Sequence, residues 1–429
     1  MTDHIAVGVD VGSSSTRAVA IDRGGSVLAS SVADYPPTAL PQGEVDPSVW
    51  LDGTIAAVAA LDVAPDAICV GGQSPTTVAH TGELAITFRH VAGATSPPPE
   101  QHAAHLEVLR RRYGDHIRPR QLWDWVSEQL GSDAGLQSVW PGSDPMAEFG
   151  DAVPVGTVIG STRDDMDVPG GIPLVAGGND AYFTSWGSGI DEPGKGFDPG
   201  GTTGGLGVAV DAATHAEAIT YGMATHVPGV YIVGGPVAAH GAMIDWWSRI
   251  TGRSVPELLD LAEKAPPGAS GVVALPFFEG ERAPRWNPSL RAEIVGLHLD
   301  HDIGVVTRAL VEATAYGNAH IARELAAQGV GLDRVVCSGG PARSRFWMQV
   351  KASILEVPVD VPHFHQMSSY GAAMGAGAAL GWWPRPGEGT TGDWPLPERY
   401  TLEPEPLEVY RQTLDRFIAL GDEAEARIK

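Results

Sequence analysis

Residues 5–22 read IAVGVDVGSSSTRAVAID. Apolar and small residues alternate from Ile5 to Asp10; glycine, three serines and a threonine fill positions 12–16; alternation resumes at Arg17. This spacing predicts a strand, a tight polar turn and a second strand. The turn is unusual in carrying a carboxylate, small hydroxyls and an arginine together. Glycine and serines let main-chain N–H groups converge on an anion, and the hydroxyls add donors. On that reading Asp10, at the strand end, is placed to hold Mg²⁺ through water, and Arg17 neutralises phosphate charge. A hairpin turn with a solvated arginine accounts for the same residues, so the stretch alone leaves both readings open.

The chain has 429 residues, too many for one ordinary core, and two domains are expected. Hydrophobic residues make up 43%, which suits a folded globular chain. The net charge of −24 argues against nucleic acid or an anionic membrane as partner. It leaves phosphate ligands open, because backbone amides and a bound cation can reverse the local field. No apolar run is long enough to cross a bilayer, and MTDHIAV enters a strand without a basic leader, so a cytoplasmic protein is expected. Cys69 and Cys337 lie in apolar strand-like runs and read as buried free thiols. His363 and His365 have no third ligand nearby in sequence, so a metal site there is disfavoured.

Several further elements follow from the pattern. SVLASSVADY reads as a third strand. DPSVWLDGTIAAVAAL reads as a helix with Asp46 as cap and Pro47 in its first position. AICVGG is a short buried strand followed by a Gln-Ser-Pro-Thr-Thr turn at 73–77. HAAHLEVLRRRYG is a polar helical stretch, and IPLVAGG is a buried strand ending at Asn179-Asp180. The second half restarts the pattern. PGGTTGGLGVAVDA is again strand, Gly/Thr turn, strand; VYIVGGPV is the third strand and GAMIDWWSRITG the helix. DIGVVTRALVEATAYGNAHIARELAAQG reads as a long amphipathic helix, DRVVCSGG as a strand opening into the helix ARSRFWMQVKASIL, and SSYGAAMGAGAALGWW as a small-residue helix. The repetition suggests a duplicated α/β unit joined near 190–200, with expected domains 1–195 and 196–429.

The second turn, Gly200–Gly205, is as ambiguous alone as the first. As a pair, each opening one half of a duplicated chain, the two turns suit a polyphosphate gripped from both sides. Asp180 ends a buried strand after two glycines. A carboxylate there can act as a general base toward a hydroxyl, or simply cap the following helix. Neither a Walker A motif nor G-x-G-x-x-G stands in a strand-to-helix setting.

Taken in order, these stretches resemble the FGGY carbohydrate kinases, which include xylulokinase, gluconokinase and glycerol kinase and belong to the actin-like ATPase superfamily. VDVGSSSTR resembles the first phosphate turn, GEVDPSVW the lead into the first helix, and VGGQSPT the first sugar-side loop. GGNDAYFTSWGSG resembles the segment with the catalytic aspartate, GGTTGG the second phosphate turn, and GAMIDWW the nucleotide helix. FFEGERAPRWNPSLRAEIVGL resembles the C-terminal signature loop, SGGPARSRFWMQVKASILEVPV the adenosine-binding strand-loop-helix, and YGAAMGAGAALG the helix that follows. The resemblance implies two actin-like, ribonuclease H-like α/β domains with a nucleotide cleft between them. It implies ATP phosphates against Ser13, Ser14, Ser15 and Arg17 and against Gly201, Thr202, Thr203 and Gly204, with Mg²⁺ near Asp10. It implies Gly241, Gly340, Pro341 and Ser344 lining the adenosine pocket. Gln73 and Ser74 would face the carbohydrate, and Asp180 would take the proton from the attacking hydroxyl in a direct in-line transfer. Arg282 is read as structural or cleft-lining.

The chain departs from the family pattern on the sugar side. It is shorter in the N-terminal half. The usual Trp-x-Asp-x-Arg strand corresponds to AITFRHVAGATS, with Phe88 for the Trp, His90 for the Asp and no clear Arg. The later Asp-x-x-Asn-Ala stretch is compressed into GLQSVWPGSDPMAEFG, and Ser74-Pro75 follows Gln73 where xylulokinases have Met-His. An unpaired buried group in a polyol site is costly, so these losses should change or abolish the substrate. A carbohydrate kinase is the leading reading. A catalytically weak, nucleotide-binding relative with a regulatory role is the alternative, and an actin-like chaperone or filament protein a third. The substrate and the oligomeric state, a homodimer included, stay open.

Overall fold

The computed structural model describes residues 4–428 except 38, 39, 41, 91–97, 140–146, 202, 212–222, 238 and 384–397. Its contacts gather into two compact units that are not contiguous in sequence. One comprises 1–191, 223–229 and 366–394; the other comprises 192–222, 230–365 and 395–429. The chain therefore returns to the first unit near its end.

The first unit is built on a sheet ordered Val158–Ser161, Pro173–Asn179, Ala67–Gly72, Ile5–Val11, Ser15–Asp22, Val27–Asp34. Ile5–Val11 and Ser15–Asp22 pair antiparallel, with Asp10 opposite Arg17. Ala67–Gly72 runs parallel to Ile5–Val11, and Pro173–Asn179 runs parallel to Ala67–Gly72. The opening stretch is thus strand–turn–strand, as its alternation predicts, at the centre of the sheet. Val7, Val9, Val11, Ile68, Val70 and Leu174 share one core with Trp50 and Trp123. The helix Ser48–Ala59 begins after Pro47, and the Asp46 carboxylate accepts from the Ser48 N–H at 3.0 Å. A second small antiparallel sheet is ordered Glu44–Val45, Ala85–Thr87, Thr76–Ala79, Pro119–Gln121. The turn expected over 73–77 is therefore shorter, since Thr76 already enters a strand.

The small residues of Met367–Ala379 serve close packing. A Cβ on Gly8 would lie 2.0 Å from the Ser369 carbonyl oxygen and 2.1 Å from the Ala373 nitrogen. A Cβ on Gly371 would lie 2.0 Å from the Phe183 carbonyl oxygen, in the helix Asp180–Gly187. Main chain meets main chain in both places, so neither contact tolerates a side chain.

The sheet of the second unit runs, from Val230–Val237, through Gly204–Asp211, Lys195–Asp198, Arg334–Cys337 and Val359–Val361 to Glu398–Tyr400. Lys195–Asp198 pairs antiparallel with Gly204–Asp211 and parallel with Arg334–Cys337, and Gly204–Asp211 pairs antiparallel with Val230–Val237. Counted along the chain, both units carry three antiparallel strands followed by parallel ones in the order 3-2-1-4-5, the ribonuclease H-like arrangement that the resemblance implied.

The helix Ile303–Ala327 differs from its expected amphipathic character: every residue from Thr307 to Ile321 is buried. Within that stretch Arg308, Glu312, Thr314 and Asn318 meet partners inside the fold rather than water. Arg308 Nε donates to Glu312 Oε1 at 2.8 Å, and burial, partly offset by Arg308, pushes the Glu312 carboxyl up to about 7. Cys69 and Cys337 are free and buried, and burial pushes both thiols up, Cys337 to about 12. Among the described residues no helix is long and apolar enough to cross a membrane.

The Gly8 contact yields a direct test. Gly8→Val should destabilise the protein by about 3 kcal/mol, because it drives a side chain into a helix backbone. Urea unfolding measures this, and an unchanged midpoint would contradict the packing.

Candidate active site

In the first unit, the carboxyl ends of three adjacent parallel strands carry Asp10, Gln73 and Asp180. Val11 and Asn179 are both in register with Gly72. The Gln73 N–H donates to the Val11 carbonyl at 3.0 Å, which fixes Gln73 beside the first turn. Neighbouring strands lie about 4.8 Å apart, so the ends of the two outer strands stand about 10 Å apart. Asp10 and Asp180 are therefore too distant to share a proton and can hold separate tasks.

The first turn is closed by the Gly12 N–H donating to the Ser15 carbonyl at 3.1 Å, and a Cβ on Gly12 would sit 3.0 Å from that oxygen. Ser13 and Ser14 are exposed, whereas Ser15 is buried and opens the second strand. The two exposed hydroxyls are thus the ones open to a phosphate. Asp10 is 8% exposed. Burial raises its pKa, opposed by Arg17, whose Nη1 is 3.8 Å from Oδ2, and by Ser368, whose hydroxyl donates to Oδ1 at 2.9 Å. Arg17 is thus already engaged with Asp10, its cross-strand partner. A buried carboxylate with one distant cation suits a hard divalent ion bound by oxygen, so Asp10 fits Mg²⁺.

Asp180 is the first residue of the helix Asp180–Gly187, but it does not cap it. Asn179 is the cap, its Oδ1 accepting from the Tyr182 N–H at 2.6 Å. Asp180 Oδ1 accepts from the Ala181 N–H at 2.8 Å, and the residue is half-buried. The structural duty that local sequence could have given Asp180 thus falls to its neighbour.

Gln73 is 5% exposed and its Oε1 has no partner among the described residues. Phe88 and His90 are half-buried, while the rest of AITFRHVAGATS beyond His90 and most of the compressed stretch before Ala147 lie outside the described residues. The helix Pro98–Tyr113 is not simply polar: His102 and His105 are buried, and their Nδ1 atoms lie 2.9 and 3.3 Å from the Thr77 hydroxyl. Burial pushes the two imidazoles down, to about 4 and about 3, so both are neutral at physiological pH.

The second unit gathers the other predicted residues. The Gly241 N–H donates to the Gly201 carbonyl at 3.0 Å, and a Cβ on Gly241 would lie 2.8 Å from that oxygen. Gly200, at φ +47°, would with a Cβ meet the Ser338 carbonyl at 2.3 Å and Pro341 Cδ at 3.8 Å. Turn, helix start and Ser-Gly-Gly loop therefore converge. Gly201 and Gly340 are exposed, Thr203 is half-exposed, and Thr202 lies outside the described residues. The Ser344 hydroxyl accepts from the Trp347 N–H at 3.3 Å, so its side chain caps the helix Arg345–Leu355.

Beneath this surface lies a group that motif reading misses. Asp198 is fully buried; its Oδ1 accepts from the Gly200 N–H at 3.0 Å and the Gly205 N–H at 3.4 Å. Its Oδ2 accepts from Asn318 Nδ2 at 2.7 Å and from the Lys351 ammonium, and lies 3.5 Å from His240 Nε2. Burial raises the carboxylate's pKa, but Lys351 and His240 outweigh it and hold Asp198 well below the ordinary range. Burial likewise lowers Lys351, and Asp198 more than restores it, so the ammonium stays charged. A Cβ on Gly204 would meet His240 Cδ2 at 2.4 Å. One signal was legible: Lys351 is a lone cation between Trp347 and Leu355 on an apolar helix face.

Residues 200–380 match the family model for the C-terminal domain of the FGGY family of carbohydrate kinases. This segment is an FGGY C-terminal domain. A xylulose kinase of Staphylococcus epidermidis is 27% identical over 231 residues, 53% of this chain and 47% of the relative. A glycerol kinase of Saccharopolyspora erythraea is 31% identical over 224 residues, 50% of this chain and 44% of the relative. The chain spans about half the length of the curated relatives it matches. The crystal structure of a xylulose kinase from Lactobacillus acidophilus superposes with a TM-score of 0.82 at 19% identity, covering 99% of each chain. That of a xylulose kinase from Rhodospirillum rubrum gives 0.76 at 24%, again covering 99% of each. The whole chain therefore has the fold of these two xylulose kinases.

The buried pair within the FGGY domain is open to a stability test. Lys351→Met leaves Asp198 charged and unpaired and should cost about 3–5 kcal/mol. Adding Asp198→Asn should recover most of that loss. A single variant as stable as the parent in urea would contradict the pairing.

Proposed function

We propose that the protein is an ATP-dependent phosphotransferase whose acceptor is a hydroxyl of a sugar, polyol or related small carbohydrate, with Asp180 as general base. One observation carries this reading: Asp180 stands at the carboxyl end of its strand, on the same sheet edge as Asp10 and Gln73, where a carboxylate can meet a hydroxyl. The names of the relatives, xylulose and glycerol kinases, support the acceptor class.

In this proposal the second unit carries the nucleotide on Gly201–Gly204, Gly241, Gly340 and Pro341, and the first turn offers Ser13 and Ser14 to phosphate oxygens. Asp10 would hold Mg²⁺, which when bound neutralises charge on the transferring phosphoryl group. Gln73 and Ser74 orient the acceptor hydroxyl toward Asp180. The Asp180 carboxylate accepts the hydroxyl proton as the oxygen attacks the terminal phosphorus in line, and the bond from that phosphorus to the bridging oxygen breaks so that ADP leaves. Positioning supplies most of such catalysis, so the chain's chief task is to fix these groups.

An ADP-release assay across ketoses, polyols and aldonates tests the reading. One of these compounds should stimulate ADP release, and Asp180→Ala should lower that rate by about 10²–10⁴ while ATP still binds. Equal turnover in the variant would remove Asp180 as base. ATP binding with no turnover on any compound would replace the kinase with a nucleotide-binding regulator.

A further inference from the structure

We propose that Asp198 is a positioning residue for the second phosphate turn: a permanent internal anion, charge-balanced by Lys351, that holds the turn in its nucleotide-receiving shape before any nucleotide arrives. The inference rests on the nucleotide reading of the second unit given above.

The geometry separates the turn's donors into two sets. The Gly200 and Gly205 N–H groups point inward and are consumed by Asp198 Oδ1. They stand at the two ends of the turn, so both ends are pinned to one carboxylate oxygen. An Asp198 side chain with no accessible surface cannot itself meet a ligand. Its role is therefore to fix the ends of the turn.

The same group also ties the neighbouring segments together. Lys351 comes from the helix that follows the Ser-Gly-Gly loop, and its Nζ lies 3.3 Å from His240 Nε2. His240 immediately precedes the helix Gly241–Thr251 and stacks on Trp347, with ring centroids 5.5 Å apart and planes at 11°. Asn318 anchors the carboxylate to the long buried helix. Turn, nucleotide helix and loop-helix thus meet at one carboxylate. A buried ion pair in which every oxygen is hydrogen-bonded is rigid, and removing one member frees all three segments.

Two charge-balanced double variants separate this role from mere stability. In Asp198→Asn/Lys351→Met the amide oxygen still accepts from Gly200 and Gly205. In Asp198→Ala/Lys351→Met no acceptor remains. Calorimetry with ADP should show the first within about three-fold of the parent and the second weakened about ten-fold or more, the loss expected when two backbone donors lose their acceptor. The second should also melt lower, because buried donors lose their acceptor, so both affinities are read well below the lower transition. Equal ADP affinity in the two variants would overturn the proposal and leave the nucleotide reading standing. A parent protein that does not bind ADP would overturn both. Should a variant fail to fold, hydrogen exchange on the parent decides. The Gly200 and Gly205 amides should be protected without nucleotide, and those of 201 and 203 only after ADP is added. Protection of Gly200 and Gly205 that appears only with ADP would overturn the proposal.

Discussion

A fully buried carboxylate beside a fully buried ammonium is the constraint on which the second unit turns. Neither Asp198 nor Lys351 can be taken from water alone without a large desolvation cost, so each requires the other. Once paired, they dictate their surroundings. Gly200 and Gly205 must turn their N–H groups inward, Asn318 must reach in from the buried stretch of the long helix, and Gly204 must lack a side chain because His240 occupies the space. The glycine-rich composition of the turn is thus explained as much from below, by the carboxylate, as from above, by a ligand.

The first unit uses a different device for the same end. Its site residues stand at the ends of parallel strands; the strand before the first turn packs backbone-to-backbone at Gly8 on the helix Met367–Ala379, and that helix packs at Gly371 on the helix that Asp180 opens. Such packing leaves no room for side-chain adjustment, so the strand ends are placed by the main chain itself. Asp10 then meets Arg17 across the hairpin, which answers the question posed by an arginine in that turn: it first balances a half-starved buried carboxylate.

The two halves of the site were legible to different degrees. The turns, the strands before them and Asp180 announce themselves because glycine, small hydroxyls and strand-end carboxylates are local signals. The stretch from Phe88 to Phe149 was less legible, because it departs from the family pattern and carries no such local signal. His102 and His105 read as members of a polar helix, and only its packing against Thr77 shows them to be buried and neutral. The long helix over 303–327 misled in the same way: Arg308 and Glu312 look like a solvent face, but they satisfy each other inside the core.

What the sequence by itself determined was the duplicated strand–turn–strand plan and the residue types at its turns, because alternation and glycine placement act within a few residues. What only the tertiary structure decided was which of those residues are buried and which partners they meet. Asn179 rather than Asp180 caps its helix, Ser15 is buried while Ser13 and Ser14 are open, and Asp198 finds Lys351 across 153 positions of chain. Each of these outcomes depends on desolvation and on partners brought from afar, and no local pattern encodes either.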